Sequence, residues 1–290
     1  MKKASGHFLF ILSLLPILAV LSCATNKSLQ KPLTQNRWLK IQNAEWAEYS
    51  FYEDKSFPLR YHCVKIDLTS ENILISTYPN SENDFIQKNG KRTEFFRGMT
   101  AKEFAKKSKS VISVNTAPFD GMYKSKKISL LSSTRRICGI HVVEKNLISS
   151  PIKKYSALCL KKASSGYTGR ILTNQTGENL SEYDYVFGGF FTILKDFKKQ
   201  PFSETRDSRT AVGLTKDGKT LYLLIAEGEK PAQSVGLSYP ECAEIFLALG
   251  VCDAMQMDGG SSSSLFINGK NALQYKNHIK SAVFLGFKNK

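Results

Sequence analysis

What this 290-residue chain lacks narrows its chemistry before anything present does. There is no C-x-x-C pair, and Cys63, Cys138, Cys159, Cys242 and Cys252 form an odd set once Cys23 is put aside. That pattern excludes a cysteine-built zinc site. Histidine is scarce, and His62, His141 and His278 show neither triad nor metal spacing, so each reads as structural or exposed. No G-x-S-x-G elbow surrounds any serine, which removes the serine hydrolases. After the apolar run from Phe8 to Leu21 there is no second hydrophobic span, and residues 38–290 hold no repeat or linker. The lysines are scattered, without a nucleic-acid module beside them, so nucleic acid is not the expected partner.

What is present begins with an address. Met1-Lys2-Lys3, the apolar run and the small-residue junction at Ser22-Cys23 make residues 1–22 an export signal. Leu21-Ser22-Cys23, followed by the polar run Ala24 to Lys31, resembles a bacterial lipoprotein cleavage site with Val20 in place of the usual leucine. Cys23 is then the lipidated first residue, residues 23–37 a flexible tether, and residues 38–290 the folded domain of an exported, membrane-anchored protein on the periplasmic face or cell surface. Cleavage removes Lys2 and Lys3, so the net charge falls from +16 to +14. Such a basic exported protein suits acidic partners such as phosphate-bearing glycans. An oxidising compartment allows one or two disulfides, although the apolar settings of Cys138, Cys159, Cys242 and Cys252 suit small buried hydrophobes.

Short β-type runs dominate: Tyr61 to Leu68, Ile73 to Tyr78, Val111 to Asn115, Ile137 to Val143, Tyr155 to Leu160, Tyr183 to Phe187, Thr210 to Leu214 and Leu221 to Ala226. Lys216-Asp217-Gly218-Lys219 turns the last two into a hairpin. Capping boxes at Thr100-Ala101-Lys102-Glu103 and Ser238-Tyr239-Pro240-Glu241 start two helices, the second stopping at Gly250. Strands from Asp253 to Met257, Ser264 to Ile267 and Ala282 to Phe287 close the chain. The expected fold is a single α+β domain with a mixed, strand-rich sheet core and a few flanking helices.

Met255-Gln256-Met257-Asp258-Gly259-Gly260-Ser261-Ser262 delivers one carboxylate from an apolar strand into a Gly/Ser corner. Glycines let backbone approach a ligand closely, and successive N–H groups form an anion nest, so phosphate or sugar oxygens are its natural guests. A simple turn capped by Asp258 is the alternative. The order of blocks, Arg209-Thr210-Ala211-Val212-Gly213, a strand ending at Glu227-Gly228, Gly236-Leu237-Ser238 with Glu241, Leu249-Gly250, and Ala254 to Ser262, resembles the phosphodiester glycosidase family. Ser113 to Phe119 and Val186-Phe187-Gly188-Gly189-Phe190 extend the likeness upstream. The chain departs from the family pattern at Thr116 and Ala117, at Glu227-Gly228-Glu229, at Gln256 and at Ser261.

The resemblance implies hydrolysis of a sugar-1-phosphodiester, such as an N-acetylglucosaminyl phosphodiester, at the sugar C1–O bond. A phosphate monoester leaves as a stable anion, so the site needs cations or N–H groups more than a strong acid. Arg209 fits the phosphate, and its charge is expected to keep a nearby Asp258 ionised. Asp258 is the expected nucleophile, general base or organiser of a cation, with Glu227 as second carboxylate. Asn115, Gly188, Gly189, Gly259, Gly260, Ser261 and Ser262 are the expected substrate contacts. The competing roles are tying strand ends for Asn115 and steric necessity for the glycines. No cofactor or metal is required, and a divalent cation near the acids is compatible with the pattern. The alternative function is a non-catalytic surface lipoprotein that binds phosphate-bearing glycans.

Overall fold

The computed structural model describes residues 37–121, 133–176 and 179–290. The expected signal peptide, Cys23 and most of the expected tether lie outside them. All described residues belong to one unit, Pro32–Lys290.

Strands form where β-branched, aromatic and leucine side chains alternate between two faces that are both covered. In Arg209–Leu214, Val212 and Leu214 face a core while Ala211 and Gly213 face the other way. The largest sheet has eight strands in the order Leu39–Ile41, Ala44–Asp54, Leu59–Asp67, Thr220–Ala226, Arg209–Leu214, Asp253–Gln256, Thr192–Lys195 and Lys198–Lys199. Two five-stranded sheets and one of four complete the described strands. One five-stranded sheet centres on Tyr185–Gly188, and the other places Ile112–Asn115 between Leu265–Ile267 and Phe284–Asn289. Val64, Ile66, Val212, Leu223, Ile225 and Met255 from the large sheet pack with Leu158, Phe187, Val114 and Leu285 from the other two in one core. Burying each such side chain contributes roughly 2 kcal/mol.

Two expectations need correction. The α+β reading overweights the helices: only Ala101–Ser108 and Tyr239–Ala248 are α-helical among the described residues, and the fold is mostly β. The sheets are also not mixed, since every described strand pairing is antiparallel. The physical reason lies in one connection. The second helix does join two strands that run the same way, Thr220–Ala226 and Asp253–Gln256, but Arg209–Leu214 is inserted between them and pairs antiparallel with both. Both capping boxes form as expected, with Thr100 and Glu103, and Ser238 and Glu241, bonded reciprocally. The five described cysteines are free thiols.

Gly213 shows why the helix sits so close to the sheet. A Cβ there would stand 2.7 Å from Val251 and 2.9 Å from Phe246, so any larger residue would push the helix off the strand.

Candidate functional site

The Asp258 corner lies where the large sheet meets the Ile112–Asn115 strand. The ladder continues past Gln256 as Met257 N–H donates to the Thr210 carbonyl (2.8 Å) and Gly260 N–H to the Ser208 carbonyl (2.8 Å). On the other side, Asp258 N–H donates to the Thr116 carbonyl (2.7 Å) and Asn115 Nδ2 to the Asp258 carbonyl (2.7 Å). The remaining oxygen of Asn115 accepts from Thr210 Oγ1 (3.2 Å), Ser264 N–H (3.0 Å) and Ser264 Oγ (3.2 Å). Asn115 is fully buried, so it ties strand ends and positions the corner. Its amide is a clamp.

Gly259 to Ser262 then turn tightly. Gly260 adopts φ +57°, a left-handed conformation that glycine takes without strain, and begins a single 3-10 turn through Ser262. The Asp258 carboxylate accepts from Ser262 Oγ and Gly259 N–H, but burial outweighs both and pushes its pKa from an ordinary 3.8 up to about 7. The expected depression by Arg209 does not occur, because that guanidinium points elsewhere. Ser261 is exposed, and beside the corner Thr116 Oγ1 and Ser263 Oγ are buried without a hydrogen-bond partner.

Arg209 and Glu227 occupy opposite faces of the large sheet, so the four polar side chains expected together do not converge. Arg209 lies on the helix face, where Nε donates to the Leu237 carbonyl (3.0 Å) and Nη2 to the Thr205 carbonyl (2.8 Å), with the guanidinium 4.2 Å from the Tyr239 ring centre. No carboxylate pairs with it among the described residues. Its backbone still touches the corner, since a Cβ on Gly259 would lie 3.7 Å from Arg209 Cα.

Glu227 lies on the core face. Its Oε1 meets His62 Nε2 (2.8 Å) and Arg60 Nε (3.4 Å), and its Oε2 accepts from Gln274 N–H (3.1 Å). Tyr49 Oη bonds His62 Nδ1 (2.8 Å), and Arg60 also pairs with Glu53. Burial pushes the Glu227 carboxyl up, but the His62 bond and charge, the Gln274 N–H and Arg60 together hold it below its ordinary range. His62, read from sequence as isolated, is thus the cross-strand partner of a buried acid. The signal was its register: His62 pairs with Ile225, two residues before Glu227.

Gly188 and Gly189 are buried and serve packing. A Cβ on Gly188 would stand 2.8 Å from the Ile140 carbonyl, and one on Gly189 2.4 Å from Met255 and 2.5 Å from the Gln256 carbonyl. Sequence reading missed Asp207. Its carboxylate lies 3.9 Å from where a Cβ on Gly260 would be; burial first, then the charges of Glu229, Glu227 and Asp207, raise the pKa of Tyr275, whose hydroxyl donates to the Ser263 carbonyl (3.4 Å). The polar Arg206-Asp207-Ser208 run before the strand was the available hint. A separate cleft of about 560 Å³ is lined by Asp120, Arg136 and Cys138, whose thiol is pushed up to about 12 chiefly by burial and by its bond to Asp120. Among the described residues, Asp196, Cys252 and Asp253 are the group with donor atoms close enough for a metal, and it lies at the Lys195 end of the sheet, with Asp253 bonded to Lys195 (3.0 Å).

In structure, the chain matches a hypothetical protein from Synechocystis (TM-score 0.62, 14% identity, 88% of this chain and 64% of the other). It also matches the zebrafish N-acetylglucosamine-1-phosphodiester alpha-N-acetylglucosaminidase catalytic domain auto-inhibited by its pro-peptide (TM-score 0.59, 15% identity, 88% of both chains). Identities this low establish the shared fold. The SPbeta prophage-derived uncharacterized protein YomE of Bacillus subtilis is 22% identical over 292 residues, 89% of this chain but only 40% of that relative. The model of the phosphodiester glycosidase family matches residues 108–285, which include the Asn115 clamp, Arg209, Glu227 and the Asp258 corner. The chain belongs to the phosphodiester glycosidase family.

Proposed function

We propose that this protein hydrolyses a sugar-1-phosphodiester at the C1–O bond, with Asp258 as general base. The observation that carries this reading is the Asp258 carboxyl itself: half-buried in a corner pinned by Asn115, Thr116, Thr210 and Ser208, and raised to about 7. A base poised near neutrality is half ionised there and takes a proton readily. Water attacks C1, its proton passes to the Asp258 carboxylate, and the C1–O pair leaves with the phosphate monoester. That leaving group is stable as an anion, so no strong acid is needed. Ser261 and Ser262 supply hydroxyls for sugar oxygens. Glu227 organises the corner through Gln274, and Asn115 acts as a clamp. The same proposal places the enzyme outside the cytoplasm, held to a membrane by a lipid on Cys23 and acting on envelope or host glycans.

One observation favours a second reading, a glycan-binding lipoprotein without turnover. Glycosidases ordinarily pair two carboxylates across the bond, and Glu227 is tied to His62 and Arg60 on the core face. Release of free sugar from a panel of sugar-1-phosphodiesters decides between them. Turnover by wild type that is lost in Asp258→Asn supports hydrolysis. Binding across the panel with no turnover establishes the binding protein.

A further inference from the structure

The helix Ala101–Ser108 buries Phe104 and Ala105 against Phe266 and Phe284 of the Ile112–Asn115 sheet, with Phe104 stacked on Phe284 at 4.9 Å between ring centres. Its outer side is basic. Lys102, Lys106 and Lys107 are exposed there, and Lys109 follows at the helix end. Arg97 and Lys280 stand beside the helix and, with Lys107, Tyr78 and Glu103, line a pocket of about 310 Å³. Glu103 is the acid of that pocket, and its carboxylate is taken up by the capping box, accepting from Thr100 N–H (2.7 Å) and Thr100 Oγ1 (3.0 Å). Asp84, the acid whose charge reaches Tyr78, accepts from the Asn80 and Ser81 N–H groups.

Several lysines elsewhere on the surface are paired: Lys161 with Glu182 (3.5 Å), Lys195 with Asp253 (3.0 Å) and Lys199 with Glu244 (2.5 Å). Arg97, Lys102, Lys106, Lys107, Lys109 and Lys280 form no ion pair among the described residues. Uncompensated cations on one face attract an array of negative charges. The same face lies close to where the chain enters the fold. Asn268 N–H donates to the Val111 carbonyl (2.7 Å), two residues after Lys109, and Asn268 Nδ2 donates to the Gln42 carbonyl (3.1 Å), three residues after Leu39 in the first strand.

We propose that the basic face of the Ala101–Ser108 helix docks on an anionic phospholipid surface, with one headgroup phosphate in the pocket between Arg97, Lys107 and Lys280. Residues 23–36 span at most roughly 45 Å when extended, so a chain held by Cys23 keeps this face within reach of the same membrane. A flexible tether limits distance and leaves orientation free. The basic face fixes the orientation, and lipid and face each raise the effective concentration of the other contact. This docking rests on the anchored reading for the source of the membrane and is independent of the catalytic one.

Co-sedimentation of the full chain carrying Cys23→Ser, and so without lipid, would compare vesicles of phosphatidylcholine with vesicles of phosphatidylcholine and phosphatidylglycerol in equal parts. Any attraction through residues 1–22 is common to every variant. The unlipidated chain is expected to bind the anionic vesicles about tenfold or more tightly, with the preference lost in high salt. Two further variants are expected to weaken that binding about tenfold each: Lys102→Gln with Lys106→Gln and Lys107→Gln, which keeps good helix formers, and Arg97→Gln with Lys280→Gln, which leaves the helix untouched. The control Lys161→Gln with Lys162→Gln and Lys198→Gln removes as many charges from the other sheets and should change binding little. No preference for anionic vesicles, or an equal loss in the control, overturns the docking face. Soluble polyphosphate bound with the same dependence on the helix lysines, while vesicles show none, overturns the membrane in favour of an anionic polymer. Absence of sugar-1-phosphodiester hydrolysis with the vesicle preference intact removes the catalytic reading and leaves this one standing.

Discussion

Asp258 and Glu227 are both acids at the ends of strands in one sheet, each beside a glycine, and the fold treats them in opposite ways. Asp258 is held by neutral groups, the Ser262 hydroxyl and Gly259 N–H, and burial raises its pKa to about 7. Glu227 is buried too, yet His62, Gln274 N–H and Arg60 hold it down. The difference teaches that burial alone does not set an acid's chemistry. A low-dielectric setting penalises the charge, and the pleat decides whether a cation stands opposite to compensate. Glu227 follows a strand whose neighbour carries His62 and Arg60, while Asp258 enters a turn where only N–H and O–H groups reach it.

Four measurements break or sharpen this contrast. The largest effect is expected at Asp258, where Asp258→Asn should lower kcat by about 10²- to 10⁴-fold with the fold intact, if the carboxylate is the base. Wild-type kcat/KM should rise with pH through about 7, the Asp258 pKa, as the base ionises. A flat profile would count against that role.

Next, Glu227→Ala should destabilise the protein by about 3–5 kcal/mol in urea unfolding, because it leaves the buried Arg60 and His62 side without its carboxylate. A loss below about 1 kcal/mol would show that the buried network contributes little.

Third, the two acids should give opposite pH slopes. The raised Asp258 pKa means the folded state loses stability as pH rises from about 4 to about 7, so Asp258→Asn should gain on wild type across that window. The gain should be on the order of 4 kcal/mol at pH 8, less whatever the lost carboxylate bonds contributed. The depressed Glu227 pKa works the other way: its stabilisation is present above an ordinary 4.5 and is lost as pH falls through the folded value. Unfolding curves at several pH values, wild type against Asp258→Asn and Glu227→Gln, read both slopes. The smallest effect belongs to Tyr49→Phe, which removes the hydroxyl on His62 Nδ1 and should cost about 1 kcal/mol in the same assay.

Much of the fold was legible because its signals are local. Ile73–Tyr78 falls where its alternation placed it, the hairpin at Asp217-Gly218 joins the expected strands, and both capping boxes start helices. The 11-residue strand Ala44–Asp54 escaped notice because charged and polar residues interrupt its alternation, and its position between two strands sustains it. The run from Ile137 to Val143 divides into Thr134–Ile137 and His141–Val143, which join different sheets around Gly139. Composition along one segment does not show which sheet will receive it.

The sequence by itself determined the local chemistry: the Gly/Ser corner carrying Asp258, the helix starts, and the ordered blocks that mark the family. Those depend on residues within a few positions of each other. Only the tertiary structure decided partners. It placed Asn115 under Asp258 as a clamp, set Arg209 and Glu227 on opposite faces of one sheet, and gave Glu227 its histidine. Strand register and sheet assignment arise from long-range packing, and a shift of one residue would have turned each of these side chains to the other face.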